Sequence, residues 1–207
     1  MLTSRRIHRR SLFGVAFATL IGCASPPGDS PPEPLRAAVE PEAVQVPAAG
    51  TGVTDPATAA RVEQVRRLCE QGVDVNKADP DGRTALMVAA FEGHTGVVEV
   101  LLEYGAEVDR IDGVGRPALM YASSGPFPLT VALLIENGAD VNHADNAEGW
   151  TALMMAASEG HQPVVILLLR HGADIEAADQ DGDAAIDHAR ARGQTDIVAL
   201  LESWPTD

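Results

Sequence analysis

Glycine recurs along this chain at a nearly constant interval, in two separate series. The interval is about 33 residues in both series and varies by no more than one position. The first series comprises Gly82, Gly115, Gly149 and Gly182, and the second comprises Gly72, Gly105, Gly138 and Gly172. A fixed period in this range predicts a solenoid of stacked units, each of which buries its apolar faces against its neighbours.

The residues between the glycines predict two helices in each unit. Thr84 and Thr151 stand where a side-chain oxygen accepts a free N–H at the start of the first helix. The second helix has one apolar face, because its large residues follow a three-and-four spacing. Examples are Val98, Leu101 and Leu102, and Val165, Leu168 and Leu169. The second glycine series follows this helix, where a left-handed cap residue is favoured.

The repeated motif resembles a known family. The sequence Thr-Ala-Leu-Met-x-Ala-Ala follows Gly82 and Gly149 closely, and Leu-Leu-x-x-Gly-Ala begins at Leu101 and Leu168. Both are similar to ankyrin repeats, in which Thr-Pro-Leu-His is usual where Thr-Ala-Leu-Met stands here. The resemblance covers the chain from Asp55 to its C-terminus. It implies an all-α repeat solenoid, an ankyrin-like stack of helix pairs with projecting β-hairpin loops.

The repeat domain is therefore predicted to span 55–207. It divides into a half repeat, 55–78, and four repeats, 79–111, 112–144, 145–178 and 179–207. Pro56 favours the start of a single helix that runs to about Gln71. The last inner helix, around His188, is more polar than its counterparts, as expected of a terminal unit. Two prolines between Gly125 and Pro128 predict a shortened or redirected link in the second repeat, through drift or through a specific contact.

The N-terminus predicts export and a lipid anchor. Four arginines precede a short apolar run, 12–22, whereas a spanning helix needs about 20 residues. Residues 1–22 are therefore predicted to be a signal peptide. Its end, Leu-Ile-Gly-Cys, resembles the lipobox of bacterial lipoproteins, which implies lipidation of Cys23, with palmitate among the attached groups. A chance cysteine after an ordinary signal is the alternative.

The same leader bears on location. Arg9-Arg10 also resembles a twin-arginine export signal, so the export route stays open. Ala24 stands where lipoproteins retained at the inner membrane commonly carry aspartate. The prediction is a lipid-anchored protein of the bacterial cell envelope, at the outer membrane and facing the periplasm.

Residues 23–54 are predicted to hold the lipidated cysteine and a disordered, Pro-rich linker. The segment from Ala24 to Thr54 includes seven prolines and shows no apolar periodicity. Such a tether spans roughly 100 Å when fully extended. The repeats would then work at a distance from the lipid surface.

The mature chain is strongly acidic. Four of the 15 basic residues leave with the signal peptide, so 11 remain against 30 acidic residues, a net charge of −19. This charge disfavours nucleic acid and anionic lipid as partners, and it favours a cationic protein through electrostatic steering. Solubility alone is the other interpretation of the charge.

Catalytic and metal-binding motifs are missing from the sequence. Cys69 fits a buried hydrophobic position, equivalent to Leu102. His94 and His161 lie two units apart, roughly 20 Å at about 10 Å per helix layer, so they cannot share a metal ion. There is no nucleophile elbow or phosphate loop, and the acidic pairs recur with the hairpins, where a structural role is expected. We therefore expect no enzyme activity, cofactor or metal.

The remaining function is recognition, which in ankyrin-like folds uses the concave surface. By repeat position, this surface would carry Arg83, Val88, Phe91, Arg116, Tyr121, Ser124, Trp150, Met155 and Ser158. The hairpin tips would add Lys77, Arg110, Ile111 and His143. Aromatic residues and arginine are enriched at interaction hot spots, so Phe91, Tyr121 and Trp150 are the predicted anchors. Packing of Tyr121 and Met155 on neighbouring hairpins is the alternative.

Two functions fit these features. One is a membrane-tethered, monomeric module that binds an envelope or periplasmic protein. The other is an immunity protein that neutralises a toxic periplasmic hydrolase, which the acidic surface favours if the toxin is basic. The sequence does not identify the partner, because repeat scaffolds of one fold carry different surface residues.

Overall fold

A computed structural model describes Leu35 and residues 56–205 of the chain. Nine helices lie within residues 56–205. They are α1 (Pro56–Glu70), α2 (Ala85–Phe91), α3 (Thr95–Glu103), α4 (Ala118–Ser123), α5 (Pro128–Glu136), α6 (Ala152–Glu159), α7 (Gln162–Arg170), α8 (Ala185–Arg192) and α9 (Thr195–Ser203). None of these described helices has the length and apolarity that crossing a membrane requires.

The helices form two layers. The inner helices α2, α4, α6 and α8 pack on one another in chain order, and so do the outer helices α1, α3, α5, α7 and α9. Each inner helix also packs on the outer helix that follows it. This arrangement confirms the predicted all-α repeat solenoid.

The predicted helix boundaries have identifiable causes. The hydroxyl groups of Thr84 and Thr151 accept hydrogen bonds from the backbone N–H of Met87, at 3.4 Å, and of Met154, at 3.3 Å. The glycines after α1, α3, α5 and α7 have φ angles of 82° to 90°, as expected of left-handed caps. The first helix, Pro56–Glu70, agrees with the predicted span to within a residue.

The link in the second repeat differs from the others, but it is longer and not shortened: four residues separate α4 from α5, whereas two or three separate the helices of the other repeats. Helix α4 has six residues, whereas α2 has seven and α6 and α8 have eight. Pro128 occupies the first turn of α5. The Phe127 ring lies so close to Gly93 and Gly125 that a Cβ atom on either glycine would be 2.3 Å from it. The ring thus fills the link between the two repeats.

One hydrophobic core runs through the stack. Ala89 and Ala90 of α2 are fully buried, and Cys69 of α1 is buried in the same core, as predicted. Burial raises the pKa of the Cys69 thiol. Leu35, within the predicted linker, is a helical residue that is 1% exposed and belongs to the same core. The rest of the predicted linker, the signal peptide and Cys23 lie outside the described residues.

The loops between repeats are tight hairpins with little strand structure. Within residues 56–205 the β pairing consists of two isolated bridges, Ala144–Thr151 and Ala178–Ala184. Successive hairpins are joined by backbone hydrogen bonds. These bonds are Gly113 N–H to the Asp81 carbonyl, 2.8 Å, Asn146 N–H to the Val114 carbonyl, 3.0 Å, and Gln180 N–H to the Glu148 carbonyl, 2.9 Å.

A second polar connection follows the outer layer. The Asn76 side chain donates to the Gly105 carbonyl at 2.9 Å and accepts from the Glu107 N–H at 2.8 Å. Two repeats later, Asn142 makes the equivalent bonds: its side chain donates to the Gly172 carbonyl and accepts from the Asp174 N–H. Each bond satisfies a backbone group near a helix end, so the repeats are linked on both sides of the stack.

We expect an alanine substitution to destabilise the protein more at Gly115 than at Gly182, although the two glycines have similar left-handed φ angles, 87° and 85°. A Cβ on Gly115 would lie 2.7 Å from the Asn146 backbone nitrogen, whereas one on Gly182 would meet nothing within 4 Å. Gly182→Ala should cost only the left-handed strain, about 1–2 kcal/mol. Gly115→Ala should cost about 2–5 kcal/mol, because the next hairpin must also move. Urea unfolding measures both, and equal losses would contradict the close approach.

Candidate functional site

Four aspartates at one repeat position close the hairpins. These hairpin aspartates are Asp79, Asp112, Asp145 and Asp179. In each of them Oδ1 accepts two or three hydrogen bonds from backbone N–H groups of its own hairpin, at 2.8 to 3.3 Å. Their backbone N–H groups bond across the hairpin to the carbonyls of Arg83, Arg116, Trp150 and Asp183. The local sequence therefore folds each loop around one carboxylate.

The second carboxylate oxygen binds a different side chain in each repeat. Asp79 Oδ2 accepts from Arg83 Nε at 3.1 Å, and Asp145 Oδ2 accepts from Arg116 Nε at 2.9 Å. The Tyr121 hydroxyl donates to Asp112 Oδ2, and His188 Nε2 lies 2.9 Å from Asp179 Oδ2. Two of these partners come from inner helices and two from hairpins. The bonds of Tyr121 and His188 hold two hairpins against α4 and α8. We call the side of α2, α4, α6 and α8 that lies next to the hairpins the inner-helix face.

The Arg116–Asp145 pair is the most deeply buried of these contacts. The Asp145 side chain is 0% exposed, and that of Arg116 is 8% exposed. Burial alone raises the pKa of Asp145, but hydrogen bonds from the Glu148 N–H and the Arg116 guanidinium outweigh it and hold the pKa below its ordinary value. Asp145 is therefore ionised, and its hairpin depends on an arginine from the preceding repeat.

The aromatic residues of the inner-helix face are arranged in two pairs. Phe91 and Tyr121 meet edge to face, with ring centroids 6.2 Å apart. Trp150 lies against the His188 ring, with centroids 4.3 Å apart. All four side chains are half-buried, as is Val88. Since Tyr121 and His188 are bound to Asp112 and Asp179, each pair has one partner fixed by a hydrogen bond.

Several predicted contact residues are engaged within the protein. Arg116, Met155 and Ser158 are buried, so their side chains offer little surface. The Ser124 hydroxyl donates to the Tyr121 carbonyl at 2.7 Å. Burial, followed by the hydrogen bond to Asp112, raises the pKa of Tyr121. Tyr121 is thus bound to a hairpin, as the packing alternative has it, and Met155 is buried, while Phe91 and Trp150 are half-buried.

The predicted hairpin-tip residues differ in accessibility. Lys77 and Ile111 are exposed, and Arg110 forms an ion pair with Glu107 at 3.6 Å. His143 is half-buried, because its Nε2 contacts the Gly115 carbonyl at 2.8 Å. Val114, which the sequence analysis missed, is 43% exposed close to Ile111 in the chain. The hairpin that joins repeats 79–111 and 112–144 therefore carries two exposed apolar side chains.

Four histidine side chains, those of His94, His143, His161 and His188, make hydrogen bonds within or between repeats. His161 Nε2 contacts the Ser124 carbonyl at 3.0 Å, and the equivalent Gln194 donates to the Ser158 carbonyl at 3.3 Å. His94 contacts the Arg61 guanidinium instead, and burial together with that charge lowers the pKa of His94 to about 4. Among residues 56–205 no three potential ligands cluster in a way that could hold a metal ion.

The sequence predicted a structural role for the acidic pairs of the hairpins, but the side-chain partners of these aspartates, His188 among them, were not predicted. A usable signal was present, because Asp79, Asp112, Asp145 and Asp179 recur at the same interval as the two glycine series. Tyr121 and His188 also share one repeat position, together with Val88 and Met155. Where this repeat position is polar, its side chain bonds to the hairpin aspartate. Where it is apolar, an arginine bonds to the aspartate instead.

Comparison with protein families gives a match over most of the chain. A family model described as "Ankyrin repeats (3 copies)" matches residues 57–145 and 119–204. Ankyrin repeats are in general protein–protein interaction modules, and proteins built from them are typically not enzymes. No curated protein matches this chain at a significant level.

We expect Arg116→Met to destabilise the protein by about 3–5 kcal/mol, because it leaves the Asp145 charge buried and without its guanidinium partner. Arg67→Met is the matched control: its ion pair with Glu63 is 68% and 55% exposed, so the loss should stay below about 1 kcal/mol. Adding Asp145→Asn to Arg116→Met should recover part of the loss, since it removes the charge. Urea unfolding tests all three, and a loss for Arg116→Met no larger than for Arg67→Met would disprove the buried pair's role.

Proposed function

The chain belongs to the ankyrin repeat family, and we propose that it is a membrane-tethered module of the bacterial cell envelope that binds a protein partner through its inner-helix face. The observation that carries this proposal is the pair of aromatic contacts on that face, Phe91 with Tyr121 and Trp150 with His188. Half-buried aromatic rings of this kind are frequent binding anchors.

The geometry of these pairs favours binding because the surface is already ordered. The Tyr121 and His188 side chains are held by Asp112 and Asp179, and the hairpins that carry these aspartates are held by their own backbone bonds. Binding a partner would therefore cost little side-chain entropy at the interface, which is one of the usual costs of association.

The charge of the face supports a cationic partner. Exposed carboxylates of Asp81, Asp181 and Asp183 lie in the same hairpins as the buried aspartates. Together with the net charge of −19 in the mature chain, they would attract a basic surface and speed its approach. The aromatic rings would then supply most of the binding energy, and the carboxylates would orient the partner.

The tether is proposed from the leader sequence. We infer that Cys23 is lipidated after removal of residues 1–22 and that it anchors the protein at the outer membrane, facing the periplasm. The basic leader, the short apolar run and the Leu-Ile-Gly-Cys sequence support this assignment. The protein would act as a monomer, because a solenoid with capped ends needs no second copy.

A second candidate function is inhibition of a toxic periplasmic hydrolase. The acidic hairpins beside Trp150 and His188 favour it if the hydrolase is basic, since an anionic surface with an aromatic anchor suits a cationic substrate cleft. In that case the captured partner would be a hydrolase, and stoichiometric addition of this protein would abolish its activity. A partner that keeps its activity in the complex would leave the tethered binding module as the function.

We expect the double substitution Phe91→Ala and Trp150→Ala to weaken partner binding about 30-fold or more, because each substitution removes one ring of an aromatic pair. The protein is used as bait on envelope extract, the retained partner is identified by mass spectrometry, and Kd is measured with the purified pair. Tyr121 is left intact, since its loss would also release Asp112.

The control is the double substitution Tyr104→Ala and Leu129→Ala, which removes exposed apolar side chains from the outer layer, 37% and 66% exposed. It should leave Kd within about twofold, since substitutions outside the interface core have little effect. If both pairs of substitutions weaken binding equally, or neither does, the inner-helix face is not the binding surface.

The anchor is tested separately with Cys23→Ser. We expect the unchanged protein to incorporate labelled palmitate and to sediment with membranes, and Cys23→Ser to do neither, because the thiol is the attachment point. Cys69→Ser serves as the matched control, since Cys69 is buried in the repeat core and should leave labelling intact. Labelling that survives Cys23→Ser would refute the lipid anchor without affecting the binding proposal.

A further inference from the structure

The four hairpins beside the inner-helix face differ in charge. Hairpin 77–83 has two basic and two acidic residues, and hairpin 110–116 has two basic residues and one acidic residue. Hairpin 143–150 has two acidic residues and no lysine or arginine, and hairpin 177–183 has three acidic residues and no lysine or arginine. The negative charge of the hairpins is therefore concentrated in the C-terminal half of the stack.

In the first half of the stack, contacts within the protein balance the hairpin charges. Arg83 Nη2 lies 3.0 Å from Asp79 Oδ2 and 2.9 Å from Asp81 Oδ2. Arg110 Nη1 lies 3.6 Å from Glu107 Oε2, just before the second hairpin. These carboxylates are therefore already paired with cations.

Most carboxylates of the last two hairpins have no cation beside them in the described part of the chain. Asp179 is bound to His188 at 2.9 Å, but the exposed Asp181 and Asp183 form no ion pair within residues 56–205. The half-buried Glu148, in the third hairpin, also forms no ion pair in this range. Three carboxylates are thus left for a cation from outside the protein.

Trp150 is connected to both acidic hairpins. It is the last residue of hairpin 143–150, and the Gln180 N–H donates to the carbonyl of Glu148 just before it at 2.9 Å. The Trp150 ring also contacts His188, which is bound to Asp179 of hairpin 177–183. A half-buried aromatic ring therefore lies where the two hairpins with unpaired carboxylates meet.

The N-terminal half of the stack offers a different surface. Phe91 and Tyr121 form its aromatic pair, and Arg83 lies close enough to act electrostatically on the Tyr121 hydroxyl. The second hairpin exposes the apolar side chains of Ile111 and Val114. This half therefore presents apolar surface without a net negative charge.

The two halves suit different side chains of a partner. A guanidinium group is attracted to an aromatic ring and forms strong hydrogen bonds to carboxylates. Apolar side chains are buried at lower cost where no unpaired charge must be desolvated. The second and fourth hairpins are two repeats apart, roughly 20 Å at about 10 Å per helix layer. A helix of about 14 residues or an extended strand of about six would span this distance.

We propose that the inner-helix face and its hairpins bind one amphipathic segment of the protein partner in a fixed direction. The basic end of this segment, with arginine preferred, lies at Trp150, Asp181 and Asp183. Its apolar end lies at Ile111 and Val114. The inference rests on the proposed function of the face in binding a protein, and it adds the chemistry and the direction of the bound segment.

The test uses synthetic peptides in place of the unidentified partner. The full chain carries Cys23→Ser, which removes the proposed anchor, and Trp204→Phe, which leaves Trp150 as the only tryptophan. One probe is hexa-arginine. The other is a Leu–Arg peptide, long enough to span two repeats as a helix, with leucines at one end and arginines at the other. Binding is followed by Trp150 fluorescence.

Asp181→Asn with Asp183→Asn should weaken binding of both peptides about 5-fold or more, because two carboxylates that pair with arginine are lost. Glu99→Gln with Glu136→Gln is the matched control, since it removes the same charge from exposed positions of the outer helices α3 and α5. The control should leave Kd within about twofold in about 0.15 M salt, where distant charges are screened. Equal effects of the two double substitutions would overturn the proposal.

The direction is tested with a dansyl group on either end of the Leu–Arg peptide. The group at the basic end should quench Trp150 emission more strongly, because energy transfer falls steeply with distance. Ile111→Ala with Val114→Ala should weaken binding of the Leu–Arg peptide about 3-fold or more and leave that of hexa-arginine within about twofold. Equal quenching from both ends, or equal losses for the two peptides, would contradict the proposed direction.

Failure of this inference differs from failure of the proposed function. If Phe91→Ala with Trp150→Ala weakens binding of the natural partner but neither peptide shows the expected differences, the face binds protein and the amphipathic segment is wrong. If the peptides behave as expected and that double substitution leaves the natural partner bound, the segment preference stands and the natural partner binds elsewhere.

Discussion

The hydrogen bonds of the four hairpin aspartates are the interaction on which the inner side of this protein depends. In each hairpin one carboxylate oxygen closes the backbone turn, and the other binds a side chain that Arg83, Tyr121, Arg116 or His188 supplies. A buried carboxylate is costly unless its acceptor sites are filled, so the hairpin and its side-chain partner stabilise each other. The aromatic surface is ordered as a result, because Tyr121 and His188 each hold one of the exposed rings in place.

Hydrogen bonds of the hairpins also connect neighbouring repeats. Arg116 belongs to the second repeat but binds Asp145 of the third, and backbone bonds such as Gly113 N–H to the Asp81 carbonyl join successive hairpins. In a solenoid each repeat contacts only its neighbours, so stability depends on these interfaces and on how the two ends are covered. The C-terminal end does this with polar residues in α8.

The sequence predicted the features that repeat identically, and it failed where the repeats differ. The glycine series placed the helix ends, and Thr84 and Thr151 placed two helix starts, because backbone conformation and capping are local. Arg116 was predicted to be on the surface, because it has the same repeat position as Arg83. Its burial follows from a contact with Asp145 in the next repeat, and comparison of equivalent positions does not show such a contact. Leu35 was predicted to lie in a disordered linker, because the Pro-rich sequence around it shows no apolar periodicity, whereas it is a buried helical residue.

The division of roles among the inner-face residues also limits how this protein could change its partner. The side chains of Arg116, Tyr121 and His188 are hydrogen-bonded to the carboxylates of hairpin aspartates. Replacing any of the three leaves a buried acceptor without its donor. Phe91 and Trp150 each lie against one of these fixed rings, whereas Ile111 and Val114 are exposed at one hairpin. Ile111 and Val114 can therefore be replaced with little loss of stability, while the residues that hold the hairpins are constrained by the fold. On the proposed binding surface and its hairpin tips, the side chains that can vary are thus separate from those that keep the hairpins in place.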